Sequence, residues 1–214
     1  MVLDITDSPT TAAMPRSMLT KLAFKAHQTK RPIFLTGHAG AGKSTLARTL
    51  AGLGRKVVST GDELRKRQAW RHGPAIPLAH DAWGDDDEVE EIVAAALWRW
   101  PHVVVDGWPR REEQALKLAR WCQIRDFKPV VLFLQIDPDE ALRRYELNGY
   151  RRSDASGKYG PEGELCPLGG VYAEPIEEHY RAKRRAQDHE IEAAREVISL
   201  ADKEGHLKMG VGLL

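Results

Sequence analysis

Several things are scarce in this chain of 214 residues, and each scarcity removes a class of function. Only two cysteines occur, Cys122 and Cys166. They form no CxxC pair and no disulfide framework, so a reducing cytoplasmic setting is expected. No apolar run reaches the 18 or so residues of a membrane span, so no membrane partner is expected. The first residues, MVLDITDSPTTAAMPR, lack the apolar stretch of a secretory signal. Net charge is nearly absent too, at +1, so nothing demands a nucleic-acid polymer as partner. No internal repeat is present. The length suits one sizeable core rather than two full domains, so residues 1–214 read as a single domain.

What the chain does have is alternation. Hydrophobic residues make up 42% and charged residues 29%, an ordinary globular balance. Helical spacing of apolar residues predicts a helix over 15–28, with Pro15 suited to its first turn. Apolar strands are expected near residues 33, 57, 103 and 131. Helices are expected over 43–53, 62–71, 86–100, 111–121, 139–147 and about 175–204. Acids fill the first turn of the 86–100 helix, where the helix dipole favours them. HVVVDG and PVVLFLQID are apolar on both faces, as strands buried in a parallel sheet are. Strand–helix repetition of this kind predicts an α/β fold: a parallel sheet of about five strands between two helical layers. The final HLKMGVGLL fits either a fifth edge strand or a tail. Two segments interrupt the pattern, a Pro- and Gly-containing loop or short helix at 72–86 and a Gly-rich flap-like insertion at 148–174.

In such sheets ligands bind beyond the carboxyl ends of the strands. Three motifs fall there. The first is GHAGAGKS, residues 37–44, which fits GxxxxGK[ST]. Its small residues allow successive backbone N–H groups to converge on phosphate oxygens, and the helix that follows adds its positive end. A random chain of this length would show the pattern on the order of 1% of the time. Here a strand precedes it and a helix follows. Gly37, Ala39, Gly40, Ala41, Gly42, Lys43, Ser44 and Thr45 are therefore expected to bind ATP. Lys43 would reach the β and γ phosphates, and Ser44 would ligate Mg²⁺. The second motif is VVVD, residues 103–106, an apolar strand ending in an acid. Asp106 is the expected second group at the magnesium ion.

The third is a pair of strand-end sequences. STGDELR, residues 59–65, follows the second strand, and DGWPRREEQ, residues 106–114, follows the third. They resemble the STGDxLR and DGFPRxxxQ signatures of the nucleoside monophosphate kinases, adenylate kinase in particular. The 17-residue spacing from Lys43 to Thr60 is also similar to that family, and the likeness covers about residues 33–152. It implies a P-loop fold with a small helical segment at 60–92 that binds the monophosphate and a lid-like insertion at 148–174. It implies an acceptor site of Thr60, Gly61, Arg65, Gly107, Arg110 and Gln114. Arg65 and Arg110 would grip the acceptor phosphate, a task that suits the guanidinium fork. The Gln114 amide offers a donor and an acceptor to the base, which favours AMP, although an amide can flip. Trp108 stands where the family usually has Phe. Around GPAIPLAHDAWGDDDEV, Asp85 or Asp86 replaces a family proline.

The lid region is expected to supply cations to the transferring phosphoryl group. Arg144 and Arg151 or Arg152 are the candidates for that role, acting with Lys43 of the phosphate loop and Arg110, and with Arg181, Arg184 and Arg185 as partners on the following helix. Cys166 is alone there and makes no four-cysteine zinc site. The resemblance thus implies an ATP- and magnesium-dependent kinase of a nucleoside monophosphate, most simply ATP + AMP giving two ADP, in a monomeric protein. Two alternatives remain open. One is a kinase for another small metabolite, in which Asp62 would act as base for an alcohol. The other is a non-catalytic ATP-binding switch.

Overall fold

A computed structural model describes residues 16–72, 86–125, 127–148, 150–151, 158–159 and 176–213. The sequence-based expectations for 1–14, 73–85, Arg152 and Cys166 lie outside these residues.

The chain alternates as its apolar pattern requires. Helix α1 spans Arg16–Gln28, strand β1 Ile33–Gly37, α2 Lys43–Gly52, β2 Val57–Ser59, α3 Thr60–His72 and α4 Asp86–Arg99. Strand β3 spans Val104–Asp106, α5 Glu112–Arg125, β4 Val130–Gln135 and α6 Pro138–Asn148. Two short strands follow, β5 Tyr150–Arg151 and β6 Lys158–Tyr159, then the long helix α7 Ile176–Lys203 and strand β7 Lys208–Leu213. The main sheet has five strands in the order β2-β3-β1-β4-β7, and every pairing is parallel. HLKMGVGLL therefore contributes an edge strand: Lys208 to Leu213 pair with Val130 to Gln135 of β4. Strands β5 and β6 form a separate antiparallel ribbon inside the flap region.

Side chains alternate across the central strands, which gives two apolar layers. Phe34, Val105, Val131 and Phe133 face one side, where Val89, Ile92 and Val93 of α4, Leu118 of α5 and Ile198 of α7 cover them. Ile33, Leu35, Val104, Val130, Leu132 and Leu134 face the other, against Leu22 of α1, Leu46 and Leu50 of α2 and Tyr180 of α7. The result is a three-layer α/β/α fold.

Arg55 secures the end of the sheet opposite the strand tips. It is 7% exposed. Its guanidinium donates to the carbonyls of Arg31 and His102, each at 2.8 Å, and of Ala26 and His27, at 3.2 and 2.8 Å. Two of those carbonyls belong to the last turn of α1, whose acceptors have no intrahelical donor. One side chain thus ties α1 to the starts of β1 and β3.

Candidate functional site

The site lies at the carboxyl ends of β1, β2 and β3. β1 runs directly into the glycine loop. Gly37 has φ +124, and a Cβ there would sit 2.0 Å from the Leu134 carbonyl oxygen. No other residue fits without moving β4. α2 starts at Lys43 behind Gly42, which has no side chain to cap it. The first N–H groups of α2 therefore face the loop without an intrahelical acceptor, as anion sites require. The Lys43 ammonium lies over the loop and donates to the carbonyls of Gly37 and His38, both at 2.7 Å. Ala41 N–H also donates to the His38 carbonyl, at 3.2 Å.

β3 delivers Asp106, 7% exposed, beside the loop. Ser44 Oγ donates to Asp106 Oδ2 at 3.2 Å. Burial pushes the Asp106 pKa up, while the charges of Lys43 and Arg110 and the Ser44 hydrogen bond oppose that shift. A serine hydroxyl and a carboxylate are hard oxygen donors. Being only two, they fit a magnesium ion that takes its other ligands from water and phosphate.

Beyond Asp106 the chain turns through Gly107 and the cis Trp108–Pro109 peptide. Gly107 has φ +95, and a Cβ there would lie 2.4 Å from Arg110 Nη2 and 3.1 Å from Thr60 Oγ1. Absence of that carbon lets the Arg110 guanidinium lie flat against the backbone. The Thr60 hydroxyl, buried, is within bonding distance of the Asp106 and Gly107 carbonyls, at 3.3 and 3.2 Å. Trp108 keeps the packing role its aromatic character suggests. It is 1% exposed and lies against Phe34 and Trp121, with ring centroids 5.4 and 5.7 Å away.

Gln114 is buried, and both ends of its amide are engaged. Oε1 accepts from Arg110 N–H at 2.8 Å, and Nε2 donates to Asp86 Oδ1 at 2.9 Å. Arg111 pairs with the same carboxylate oxygen. A backbone N–H can only donate, so this contact holds the amide in one orientation. Arg65 pairs with Asp62 three residues before it. A Cβ on Gly61 would come within 3.3 Å of Arg65 Nη1, so the guanidinium folds back over the first turn of α3. Ion pairs from Arg67 and Arg71 to Glu88 tie α3 to α4.

The structure thus gathers Lys43, Ser44, Asp106, Gly107, Thr60 and Arg110 at one end of the sheet. Arg144 lies on α6, where its Nε donates to Glu140 Oε1 at 2.8 Å beside Arg143. Arg151 lies in β5. Two contacts escaped the sequence. Asp86 meets Gln114, and His38 meets Asp188 of α7, with Nε2 2.8 Å from Oδ1. Burial, then the Arg184 charge, lower the His38 pKa, while Asp188 raises it. The only signal for Asp86 was its place in the otherwise family-like segment. For His38 and Asp188, 150 positions apart, there was none.

A family model described as an AAA domain matches residues 36–158. That span is more than half of the chain and runs from β1 through the loop, β3 and α5 into β6. The chain belongs to this AAA-domain family. It is a kinase-like family of the P-loop NTPase type, and its members bind nucleotide. No curated protein matches the chain. In this AAA domain the matched region carries every predicted phosphate-loop and acceptor residue, while α7 and β7 lie outside it. Among the described residues no helix is long and apolar enough to cross a membrane.

Proposed function

We propose that this AAA-domain chain is a nucleoside monophosphate kinase that transfers the γ-phosphoryl group of ATP to a monophosphate, with AMP the preferred acceptor. The observation that carries the reading is the placement of Arg110. Gly107 seats its guanidinium one turn of backbone from Asp106, so a second anion-binding cation stands next to the phosphate loop on the same strand end. Two cations at one strand end suit two phosphate groups, one on the donor and one on the acceptor.

The roles follow from the chemistry. The loop amides and Lys43 bind the β and γ phosphates of the donor. Magnesium, held by Ser44 and through water by Asp106, would neutralise phosphate charge. Arg65 and Arg110 bind the acceptor phosphate and aim one of its oxygens at the γ-phosphorus. That oxygen forms the new P–O bond as the bond to the β–γ bridging oxygen breaks, and ADP leaves with the electron pair. The acceptor is already anionic, so no general base is needed. An alcohol acceptor would need one, and the Asp62 carboxylate is paired with Arg65. Catalysis is then positioning and charge neutralisation. Arg144, Arg151 and Arg152 are assigned to the transferring group from the flap side. Gln114, with Oε1 taken by Arg110 N–H, offers a base one amide N–H, and Asp86 beside it offers a carboxylate oxygen. Adenine presents a matching ring acceptor and amino donor. The proposal extends to a monomer in a reducing cytoplasm.

The test is ADP formation from ATP and Mg²⁺ with AMP, UMP, CMP, GMP and dTMP in parallel, beside nucleosides and sugar alcohols. AMP should be the best acceptor. Turnover with alcohols only, or with no acceptor at all, overturns the reading.

A further inference from the structure

The phosphate loop touches α7, a helix outside the matched family region. His38, in the second position of the loop, is 9% exposed, and its Nε2 lies 2.8 Å from Asp188 Oδ1. Asp188 also lies 3.5 Å from Arg184 Nε on the preceding turn of α7. Arg184 in turn donates to the Tyr180 hydroxyl at 3.1 Å and approaches the Ile136 carbonyl, beyond β4, at 3.4 Å. The His38 carbonyl is one of the two seats of the Lys43 ammonium. A continuous polar chain therefore runs from Arg184 through Asp188 and the His38 ring to the backbone that holds Lys43.

We propose that Asp188 and His38 are positioning residues for the donor phosphates: Asp188 fixes the loop through His38 and aims Arg184 toward the same cradle. A solvated surface pair does not account for the arrangement. His38 is buried, its Nε2 makes a close 2.8 Å ionic contact with Asp188 Oδ1 that falls short of hydrogen-bond geometry, and its Nδ1 has no hydrogen-bond partner among the described residues. With a carboxylate 2.8 Å from Nε2, the neutral ring places its proton on Nε2 and leaves Nδ1 as an acceptor. The charged groups facing the ring are Asp188 and Arg184 from α7 and Lys43 from the loop side. Among the described residues Asp188 is the one anion acting on the ring, against two cations. Without it the Arg184 and Lys43 charges both act on the buried ring with no described anion between them.

The proposal makes a counterintuitive prediction for one variant. Asp188→Asn removes a negative charge beside a phosphate site. Electrostatics alone would then tighten ATP binding. Loss of positioning would weaken it. The measurement is calorimetric titration of the full chain with ATP and Mg²⁺, with no acceptor present, so the result is independent of which acceptor the enzyme takes. His38→Ala and Asp188→Asn should each weaken ATP binding about tenfold, the scale of a misplaced phosphate contact. His38→Gln, which keeps an N–H for Asp188, should stay within about threefold of wild type. The double variant His38→Ala/Asp188→Asn should be no worse than either single one, since both cut one chain. Equal or tighter binding by Asp188→Asn overturns the proposal. So does a loss in His38→Gln as large as in His38→Ala, because that would make the ring's bulk, not its contact, the cause.

Discussion

The two halves of the candidate site are built from different material. The donor half is mostly backbone: loop amides, the start of α2, and carbonyls that seat Lys43. The proposed acceptor half is side chains already bonded to one another, Arg65 to Asp62 and Gln114 to Asp86. A backbone cradle anchored on a five-residue buried strand is fixed by the fold itself. A side-chain cradle must exchange partners when a ligand enters, which costs affinity but leaves selectivity open to single substitutions. Damage to the first half should therefore cost binding of any nucleotide. Damage to the second should cost one substrate.

The largest effect should come from Gly37→Ala. The added carbon would meet the Leu134 carbonyl oxygen at 2.0 Å, in a backbone conformation that L side chains avoid. We expect loss of about 3 kcal/mol or more of stability, and no detectable ATP binding by the folded fraction. A variant that binds ATP normally would show that the cradle is less tied to β4 than the register implies.

Next is Arg110→Ala, which sharpens the contrast from the other side. It should lower kcat/KM for the acceptor by about a hundredfold to a thousandfold, as loss of a charge-stabilising contact does. The ATP dissociation constant should stay within about twofold, since the loop itself is intact. Equal losses for both substrates would erase the division into halves.

Legibility in the sequence follows the same division. GHAGAGKS and VVVD declare themselves because backbone sites need particular residues at fixed local spacing. The parallel sheet between two helical layers followed from strand–helix alternation. β7 could not be decided from HLKMGVGLL, where two glycines dilute the strand pattern. Its six-residue pairing with β4 makes it a strand. Nothing in the sequence marks Arg55, yet it collects carbonyls from three distant segments. Asp86 and Asp188 were hidden for the same reason. Their partners lie 28 and 150 positions away, and no local pattern records a contact made only by folding.

A smaller effect is expected at Asp86. Asp86→Asn keeps the shape but removes the charge that Arg111 and Gln114 share. KM for AMP should rise about tenfold, the loss of one good polar contact. ATP binding should not change. If AMP turnover is untouched while another monophosphate gains, Asp86 sets base preference rather than affinity.

The smallest effect tests whether the flap arginines are held in reserve. Hydrogen bonds from Arg143 and then Arg144 keep the Glu140 carboxyl down to about 2, against 4.5 ordinarily. The folded pKa is depressed, so the associated stability is present above about pH 4.5 and is lost as pH falls toward 2. The pairs are solvent-screened, which limits the contribution to no more than about 0.5 kcal/mol. Glu140→Gln should therefore leave the thermal midpoint at pH 7 nearly unchanged and flatten its decline between pH 5 and 3. Its effect on turnover is more telling. If Arg144 must leave Glu140 to meet the transferring phosphoryl group, weakening that hold raises kcat, by up to about twofold on the energy above. If Glu140 instead holds Arg144 in its working position, kcat falls. The sign separates an arginine stored beside the site from one already in place.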